Sequence, residues 1–338
     1  MSIGDRLLLL SGTFVCALAA TRVILGFASR LQLLDQPSSR SSHTMPTPRG
    51  GGVAIVVTFF LALLTMHLAG GPAGRVVAAL TYGGGAIAIV GFIDDRKSLP
   101  ASVRMIVHVG AALLAIALIG LPIGLLGSEC GYYVWPLRLA SFLAIIWAIN
   151  LFNFMDGIDG IAALEATFFA GAAAGFNAYF HGNPGLTTMM LSLAFATLGF
   201  LVWNWPPARI FMGDVGSGFL GFTLATFVLR MSHDHLVAVA ICLILGGVFF
   251  VDASVTLIRR IARGDRWSDA HRMHAYQHLA RRWRAHRPVT MLVGAVNVGW
   301  LLPLACAAAV RPAYAVLFVM MALLPLVLLT VIVGAGAP

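Results

Sequence analysis

Long apolar stretches recur from one end of the chain to the other, and they limit the fold more than any other feature. The 338 residues are 59% hydrophobic and only 10% charged, whereas a soluble domain has about 25% charged residues. A helix that crosses a bilayer needs about 20 mainly apolar residues. Such stretches are predicted at roughly 7–28, 51–69, 75–93, 105–126, 137–155, 161–180, 187–203, 217–231, 236–258, 289–310 and 313–334. The sequence therefore predicts an all-α integral membrane protein, one polytopic domain over residues 1–338 with about eleven transmembrane helices.

Lysine and arginine are distributed unevenly between the predicted loops. If the loop after the first stretch is cytoplasmic, 16 of the 22 basic residues lie on that side, and five lie on the other. Cytoplasmic loops are enriched in Lys and Arg, so we expect the amino terminus outside and the carboxyl terminus inside. The cytoplasmic loops are then predicted near 29–50, 94–104, 156–160, 204–216 and 259–288. A net charge of +9 in loops this close to a bilayer indicates anionic lipid headgroups as partners, and not nucleic acid.

The first stretch has two interpretations. Ala17-Leu18-Ala19 resembles a signal-peptide cleavage site, but Arg6 is the only basic residue ahead of the apolar run, which continues to Phe27. We interpret it as an uncleaved first helix.

The acidic residues are few and concentrated in the predicted cytoplasmic loops, where eight of the 13 fall. Asp94 and Asp95 form an adjacent pair at the end of the third stretch, followed by Arg96 and Lys97. Partly desolvated carboxylates are costly without a partner, which favours a bound cation nearby. The alternative is a solvated helix end whose acids pair with Arg96 and Lys97.

Polar residues spaced by three end the fifth stretch. Asn150, Asn153 and Asp156 lie on one face of a helix end, and Asp159 follows in the Asp-Gly-x-Asp-Gly segment. Oxygen-bearing side chains in this density are typical of a site for a hard cation or a sugar.

Further candidate residues lie in three other loops. Asp214 stands among Gly213, Gly216 and Gly218 where a helix is predicted to begin, and helix N-termini favour phosphate. The first polar loop combines prolines with Arg49 and three glycines, although a flexible linker would also explain its composition. The last large loop contains His271, Arg272 and His274 among many arginines. These side chains could bind a diphosphate, or they could form a generic basic cluster next to the membrane.

Taken in order from Asp35 to His278, these motifs resemble the polyprenyl-phosphate N-acetylhexosamine-1-phosphate transferases, glycosyltransferase family 4. The matching motifs are the proline–arginine–glycine loop, the Asp-Asp pair, Asn-x-x-Asn-x-x-Asp-Gly-x-Asp-Gly and Phe-Met-Gly-Asp-x-Gly-Ser, with Asp252 as a further acid. The spread His-Arg-Met-His-Ala-Tyr-Gln-His segment looks like the branch that initiates bacterial O-antigens. Ser98, in place of a lysine, argues against a muramoyl-pentapeptide substrate.

The resemblance implies an enzyme of the bacterial inner membrane that transfers a UDP-linked N-acetylhexosamine 1-phosphate to undecaprenyl phosphate and releases UMP. It implies Mg²⁺, with Mn²⁺ as a substitute, held by Asn153 and Asp214. It also implies that Asp94 or Asp95 orients or deprotonates the lipid phosphate. Asp156 and Asp159 would support the metal and the nucleotide-sugar. Substrate binding is expected from Arg49, Arg96, Lys97, Arg104, Asn150, Gly213, His271, Arg272 and His274.

Four matters stay open at this point. The first is whether the lipid phosphate attacks directly or a covalent aspartyl-phosphate intermediate forms. A membrane flippase or transporter, and a CDP-alcohol-type phosphotransferase, are rival interpretations of the same acids. The sugar is not specified by the sequence. The oligomeric state, a homodimer included, is not specified either.

Overall fold

The computed structural model describes residues 1–27, 47–71, 74–121, 134–265 and 272–337, together with the backbone of 34–35. In these ranges the chain is almost entirely helical. The helices are, in chain order, α1 (Ile3–Phe27), α2 (Gly52–Leu68), α3 (Arg75–Arg96), α4 (Ala101–Ile119), α5 (Val134–Met155), α6 (Ile161–Tyr179), α7 (Pro184–Asn204), α8 (Asp214–Ser232), α9 (Val237–Leu245), α10 (Gly247–Ala262), α11 (Ala275–Trp283), α12 (Arg287–Val310) and α13 (Pro312–Val333). The expected all-α class is confirmed.

Apart from α11, the described helices correspond to the eleven predicted apolar stretches, but they are not eleven equal spans. Within the described ranges, nine helices are long and apolar enough to cross a membrane. α9 and α10 form a single broken pair, bent by 77°, where one continuous stretch at 236–258 is predicted. Gly246 occupies the break and Gly247 begins α10, and sharp kinks commonly occur at glycine. α2, with 17 residues, is a shorter apolar helix, at the lower limit of what spans a bilayer.

α8 is the most buried of the long helices and packs against α2, α3, α5 and α6. Small residues allow these helices to approach closely, as is common in membrane bundles. A Cβ atom at Gly91 of α3 would lie 2.5 Å from the backbone carbonyl oxygen of Asp214. Likewise, a Cβ at Gly52 of α2 would overlap the backbone of Gly216. The end of α3 and the start of α2 are thereby held against the first turn of α8.

A short backbone ladder holds the end of the first polar loop beside the start of α8. Strand β1 (Leu34–Asp35) pairs antiparallel with strand β2 (Thr47–Pro48). The Phe211 N–H then donates to the Pro48 carbonyl at 2.8 Å, and the Gly51 N–H donates to the Phe211 carbonyl at 2.9 Å. This ladder fixes the backbone on both sides of Arg49 beside the segment that leads into α8.

The close approach of α3 and α8 predicts a steric penalty at Gly91. We expect Gly91→Ala to lower the free energy of unfolding by about 1–3 kcal/mol, because the added methyl group meets backbone atoms that must move. Gly85→Ala, in the same helix, is the matched control: its Cβ has no atom within 4 Å. That control should be neutral or stabilising by about 0.5–1 kcal/mol. Thermal unfolding in detergent measures both, and equal midpoints for the two variants would contradict the close packing.

Candidate active site

The Asp95 carboxylate lies at the centre of the polar cluster and is fully buried. Its two oxygens accept hydrogen bonds from the Asp214 N–H at 2.9 Å and the Val215 N–H at 3.1 Å. The amides of the first turn of α8 have no partner within their own helix, so the Asp95 carboxylate of α3 caps the start of α8. Gly213 has a φ of +76°, and a Cβ there would overlap the Asp95 carboxylate. Glycine is therefore required at 213 for both conformation and space.

Two arginines join the acidic side chains into one cluster. Arg49 contacts the Asp95 carboxylate through Nε at 2.8 Å and the Asp214 carboxylate through Nη2 at 2.7 Å. Arg104 Nη1 lies 3.1 Å from an oxygen of Asp94 and 3.1 Å from the second oxygen of Asp214. Both arginine side chains are one-third exposed. Asp214 is thus held between the two guanidinium groups, whose outer sides remain open to an anionic ligand.

The end of α5 approaches the cluster from another direction. Asn153 Nδ2 donates to the Ser217 hydroxyl at 3.2 Å, and the Asn153 side chain also hydrogen-bonds with Asp214. Asn150, one turn earlier, donates instead to the Ile146 carbonyl of its own helix at 2.8 Å. Asn153 is therefore the amide of this motif that contacts the acidic cluster.

The cluster has an excess of negative charge. The carboxylates of Asp94, Asp95, Asp156 and Asp214 face two guanidinium groups, a formal balance of −2 if all are ionised. Burial raises the pKa of the Asp156 carboxyl well above its usual range, and repulsion from Asp214 and Asp95 raises it further, against the attraction of Arg49. A bound cation would relieve this repulsion and favour the ionised form of Asp156.

Asp159 has a different environment, because its contacts join three elements of the site. One carboxylate oxygen lies 3.0 Å from His286 Nδ1, and the other accepts the Ala208 N–H at 3.0 Å. Its carbonyl oxygen accepts the Thr290 hydroxyl at 2.8 Å. Asp159 therefore ties the segment before α6 to the 205–213 loop and to the start of α12.

Asp252 organises the start of α11 in the same way. One of its oxygens accepts the Ala275 N–H at 2.9 Å and lies 3.3 Å from His274 Nδ1; the other accepts the Tyr276 N–H at 3.0 Å. The Tyr276 hydroxyl in turn donates to the Phe154 carbonyl at 2.9 Å. Asp252 of α10 thus caps the start of α11, and Tyr276 holds α11 against the end of α5, next to the candidate site.

Comparison with known proteins agrees with this arrangement. The model of glycosyl transferase family 4 matches residues 77–232, which include Asp94, Asp95, Asn153, Asp156 and Asp214. The chain is similar to the probable undecaprenyl-phosphate N-acetylglucosaminyl 1-phosphate transferase of Bacillus subtilis, 29% identical over 302 residues, 86% of this chain and 82% of the relative. It is 30% identical over 311 residues to the decaprenyl-phosphate N-acetylglucosaminephosphotransferase of Mycobacterium tuberculosis, 81% of this chain and 75% of the relative.

The chain belongs to the polyprenyl-phosphate N-acetylhexosamine-1-phosphate transferase family. Another relative, the phospho-N-acetylmuramoyl-pentapeptide-transferase of Desulforamulus reducens, is 27% identical over 249 residues, 68% of this chain and 71% of the relative. The expected resemblance is confirmed. The relatives' names include more than one sugar, so they do not select the donor of this transferase.

The other predicted substrate-binding residues are Arg96, Lys97, His271, Arg272 and His274. The Arg96 guanidinium is 5.8 Å from the centre of the Phe92 ring, and both Arg96 and Lys97 are exposed. His274 is buried against Asp252. Arg272 is half-buried, and His271 lies outside the described residues, as do 36–46 of the first polar loop. The roles expected of these residues stay predictions.

Sequence reasoning did not single out His286 and Thr290. Both lie more than 100 residues after Asp159, at the start of a helix whose composition is otherwise apolar. No spacing rule connects them to the Asp-Gly-x-Asp-Gly segment. Only the packing of α12 against α6 brings them together.

The Asp252 contacts predict that this carboxylate stabilises the start of α11, in addition to the contact of the His274 N–H with the Gln277 side chain. We expect Asp252→Ala to destabilise the start of α11 by about 0.5–2 kcal/mol, the usual cost of losing a helix cap, and to accelerate trypsin cleavage after Arg281 and Arg282. Digestion followed by mass spectrometry measures the rates. Asp234→Ala is the control, because Asp234 pairs only with Arg230 among the described residues, at 2.9 Å. Unchanged cleavage in Asp252→Ala would contradict the capping role.

Proposed function

We propose that this protein transfers an N-acetylhexosamine 1-phosphate from a UDP-linked donor to undecaprenyl phosphate, releasing UMP. The coarser activity, transfer of a phospho-sugar to a polyprenyl phosphate, is that of its family. The observation that supports the proposal best is the cluster in which Arg49 and Arg104 bridge Asp94, Asp95 and Asp214 at the end of the bundle.

The cluster suits phosphoryl transfer, in which catalysis depends mainly on positioning and on neutralising charge. An oxygen of the lipid phosphate attacks the phosphorus that bears the sugar. The bond from this phosphorus to the bridging oxygen breaks, and that oxygen leaves as part of UMP. A phosphate monoester is mostly ionised at pH 7, so direct attack requires little help from a general base. The two guanidinium groups would orient the phosphates from the exposed side.

The residues present fit a Mg²⁺ ion. Among the described residues there is no group of three or more His, Cys, Asp or Glu side chains arranged to hold a metal. Mg²⁺, however, commonly takes one or two protein carboxylates and completes its shell with substrate phosphates and water. Asp214 and the amide oxygen of Asn153 would hold the ion, with Asp156 close enough to contribute charge. Bound Mg²⁺ would neutralise charge on the diphosphate and on the departing UMP.

The location and biological role follow from the proposed substrates. The loops that carry the site residues are rich in Lys and Arg, which favours an active site on the cytoplasmic face of the bacterial inner membrane. UDP-sugars are present in the cytoplasm. We place the product at the start of O-antigen or related cell-envelope polysaccharide synthesis, because of the spread histidine segment before and within α11. The relatives named above include transferases of N-acetylglucosaminyl 1-phosphate and of phospho-N-acetylmuramoyl-pentapeptide.

Two rival functions have weaker support. A transporter or flippase would place ionisable groups along a path through the bundle, whereas Asp94, Asp95, Asp156 and Asp214 meet at one end. A CDP-alcohol phosphotransferase also uses Asp-Gly pairs, but it would not require Asp214 and its glycine-rich helix start. Both rivals would predict activity that does not depend on a UDP-sugar.

The direct test is UMP release by purified protein with undecaprenyl phosphate, Mg²⁺ and a panel of UDP-N-acetyl sugars. We expect release that requires both the lipid phosphate and the divalent ion, with one donor clearly preferred. Mn²⁺ should substitute for Mg²⁺. Absence of UMP with every donor would overturn the proposed donor class while leaving the family assignment intact.

Asp214→Asn tests the metal assignment with almost no change in shape. We expect turnover to fall by about 100-fold or more, because an electrostatic contact to the reacting diphosphate is lost. The N–H that binds Asp95 belongs to the backbone and remains, so the fold should persist. Asp234→Asn, which changes an acid outside the site, should retain full turnover. Substantial turnover of Asp214→Asn at unchanged Mg²⁺ concentration would rule out the role of Asp214 as metal ligand.

Arg49→Lys tests whether bridging, and not charge alone, is required. A lysine keeps the positive charge but cannot contact Asp95 and Asp214 through two fixed N–H groups at once. We expect kcat to fall about 10-fold, measured by UMP release at saturating substrates. Arg209→Lys is the matched control, because Arg209 lies over the Trp203 ring at 5.5 Å and outside the cluster. Equal rates for the two variants would show that Arg49 acts only as a charge.

A further inference from the structure

His108 lies on the face of α4 that points into the bundle. It follows Arg104 by one helical turn, and Ala111, Ala112 and Ala115 beyond it are buried. Residues at this spacing share one side of a helix. His108 is therefore the last polar side chain on this face between the charged cluster and an apolar core that includes Ile87, Ile145 and Ile149.

The imidazole of His108 is incompletely satisfied. Its Nδ1 atom is buried and has no hydrogen-bond partner among the described residues. Leaving a buried polar atom without a partner costs about 1–3 kcal/mol. Since Nδ1 meets no acceptor for a proton, the neutral ring is expected to keep its proton on Nε2. Nε2 has no hydrogen-bond partner among the described residues either, but it is not fully buried, so it can donate to a ligand.

The charged groups that act on His108 are those of the proposed active site. Among the described residues, Arg104 and Asp214 are near enough for their charges to act on the imidazole. The same Arg104 guanidinium contacts both Asp94 and Asp214. His108 therefore lies beside the cluster, and the buried alanines on its side of α4 continue from it into the apolar core.

We propose that His108 donates a hydrogen bond to the phosphate of the polyprenyl acceptor, as a binding residue not assigned by the motifs. This inference rests on the proposed function. Of the two substrates, only the acceptor joins its phosphate directly to a long apolar chain. A donor at the junction of charged cluster and apolar core suits that phosphate. The diphosphate of a nucleotide-sugar is joined to polar groups on both sides, which this junction does not suit.

The kinetic test separates the two substrates. In His108→Ala we expect the KM for undecaprenyl phosphate to rise about 10-fold or more, the loss of one hydrogen bond to a charged group. The KM for the nucleotide-sugar and kcat should change by less than about twofold. His108→Gln, which retains an N–H donor, should recover most of the loss. His233→Ala is the matched control, because His233 also has a buried unpartnered nitrogen but lies at the far end of α8.

A binding measurement keeps the test independent of turnover. Undecaprenyl phosphate should raise the thermal unfolding midpoint of the wild type and of His233→Ala, and raise it much less for His108→Ala. Inorganic phosphate should have no such effect, which distinguishes a lipid phosphate from a free anion. An equal shift in all three proteins, or equal rises in both KM values, would overturn the proposal. A wild type that binds the lipid but releases no UMP would instead refute the proposed reaction.

Discussion

The candidate site depends on one interaction, the capping of α8 by the Asp95 carboxylate of α3. Asp95 accepts the Asp214 and Val215 amides, and this contact is possible only because Gly213 and Gly91 let two backbones approach. A buried carboxylate is costly without partners, so the capped arrangement is strongly preferred over alternatives. Once α8 is held there, Asp214 at its first position has to face Arg49 and Arg104, and the rest of the cluster follows.

This capping role also separates two adjacent acids that look equivalent in sequence. Adjacent residues on a helix point about 100° apart, so the two carboxylates have different surroundings. In the structure Asp95 is fully buried, while the Asp94 side chain remains 11% exposed and accepts the Leu99 N–H at 2.6 Å. We interpret Asp95 as the positioning residue. Asp94 is the acid of the pair that an incoming phosphate could approach.

The sequence predicted the membrane class, the main helices and the acidic cluster, because apolar length and polar residues at helix ends are local patterns. Asp94, Asp95, Asn153 and Asp214 could be selected in this way even though Asp95 and Asp214 are 119 residues apart. The break at Gly246 was not predicted, since an apolar run does not show where a helix bends. The contacts of Asp159 with His286 and of Asp252 with α11 depend on tertiary packing, and no local pattern contains them.

The arginine contacts do not neutralise all of the carboxylates in the cluster. Arg49 and Arg104 offset two of four carboxylates, and Asp156 remains in a repulsive environment. Additional basic residues would neutralise the site but would also occupy the space that phosphates and a cation need. An acidic excess instead favours a divalent ion, while the exposed guanidinium groups favour a diphosphate. On the proposed function, these two ligands would bind more strongly together than apart, because each would reduce the charge that opposes the other.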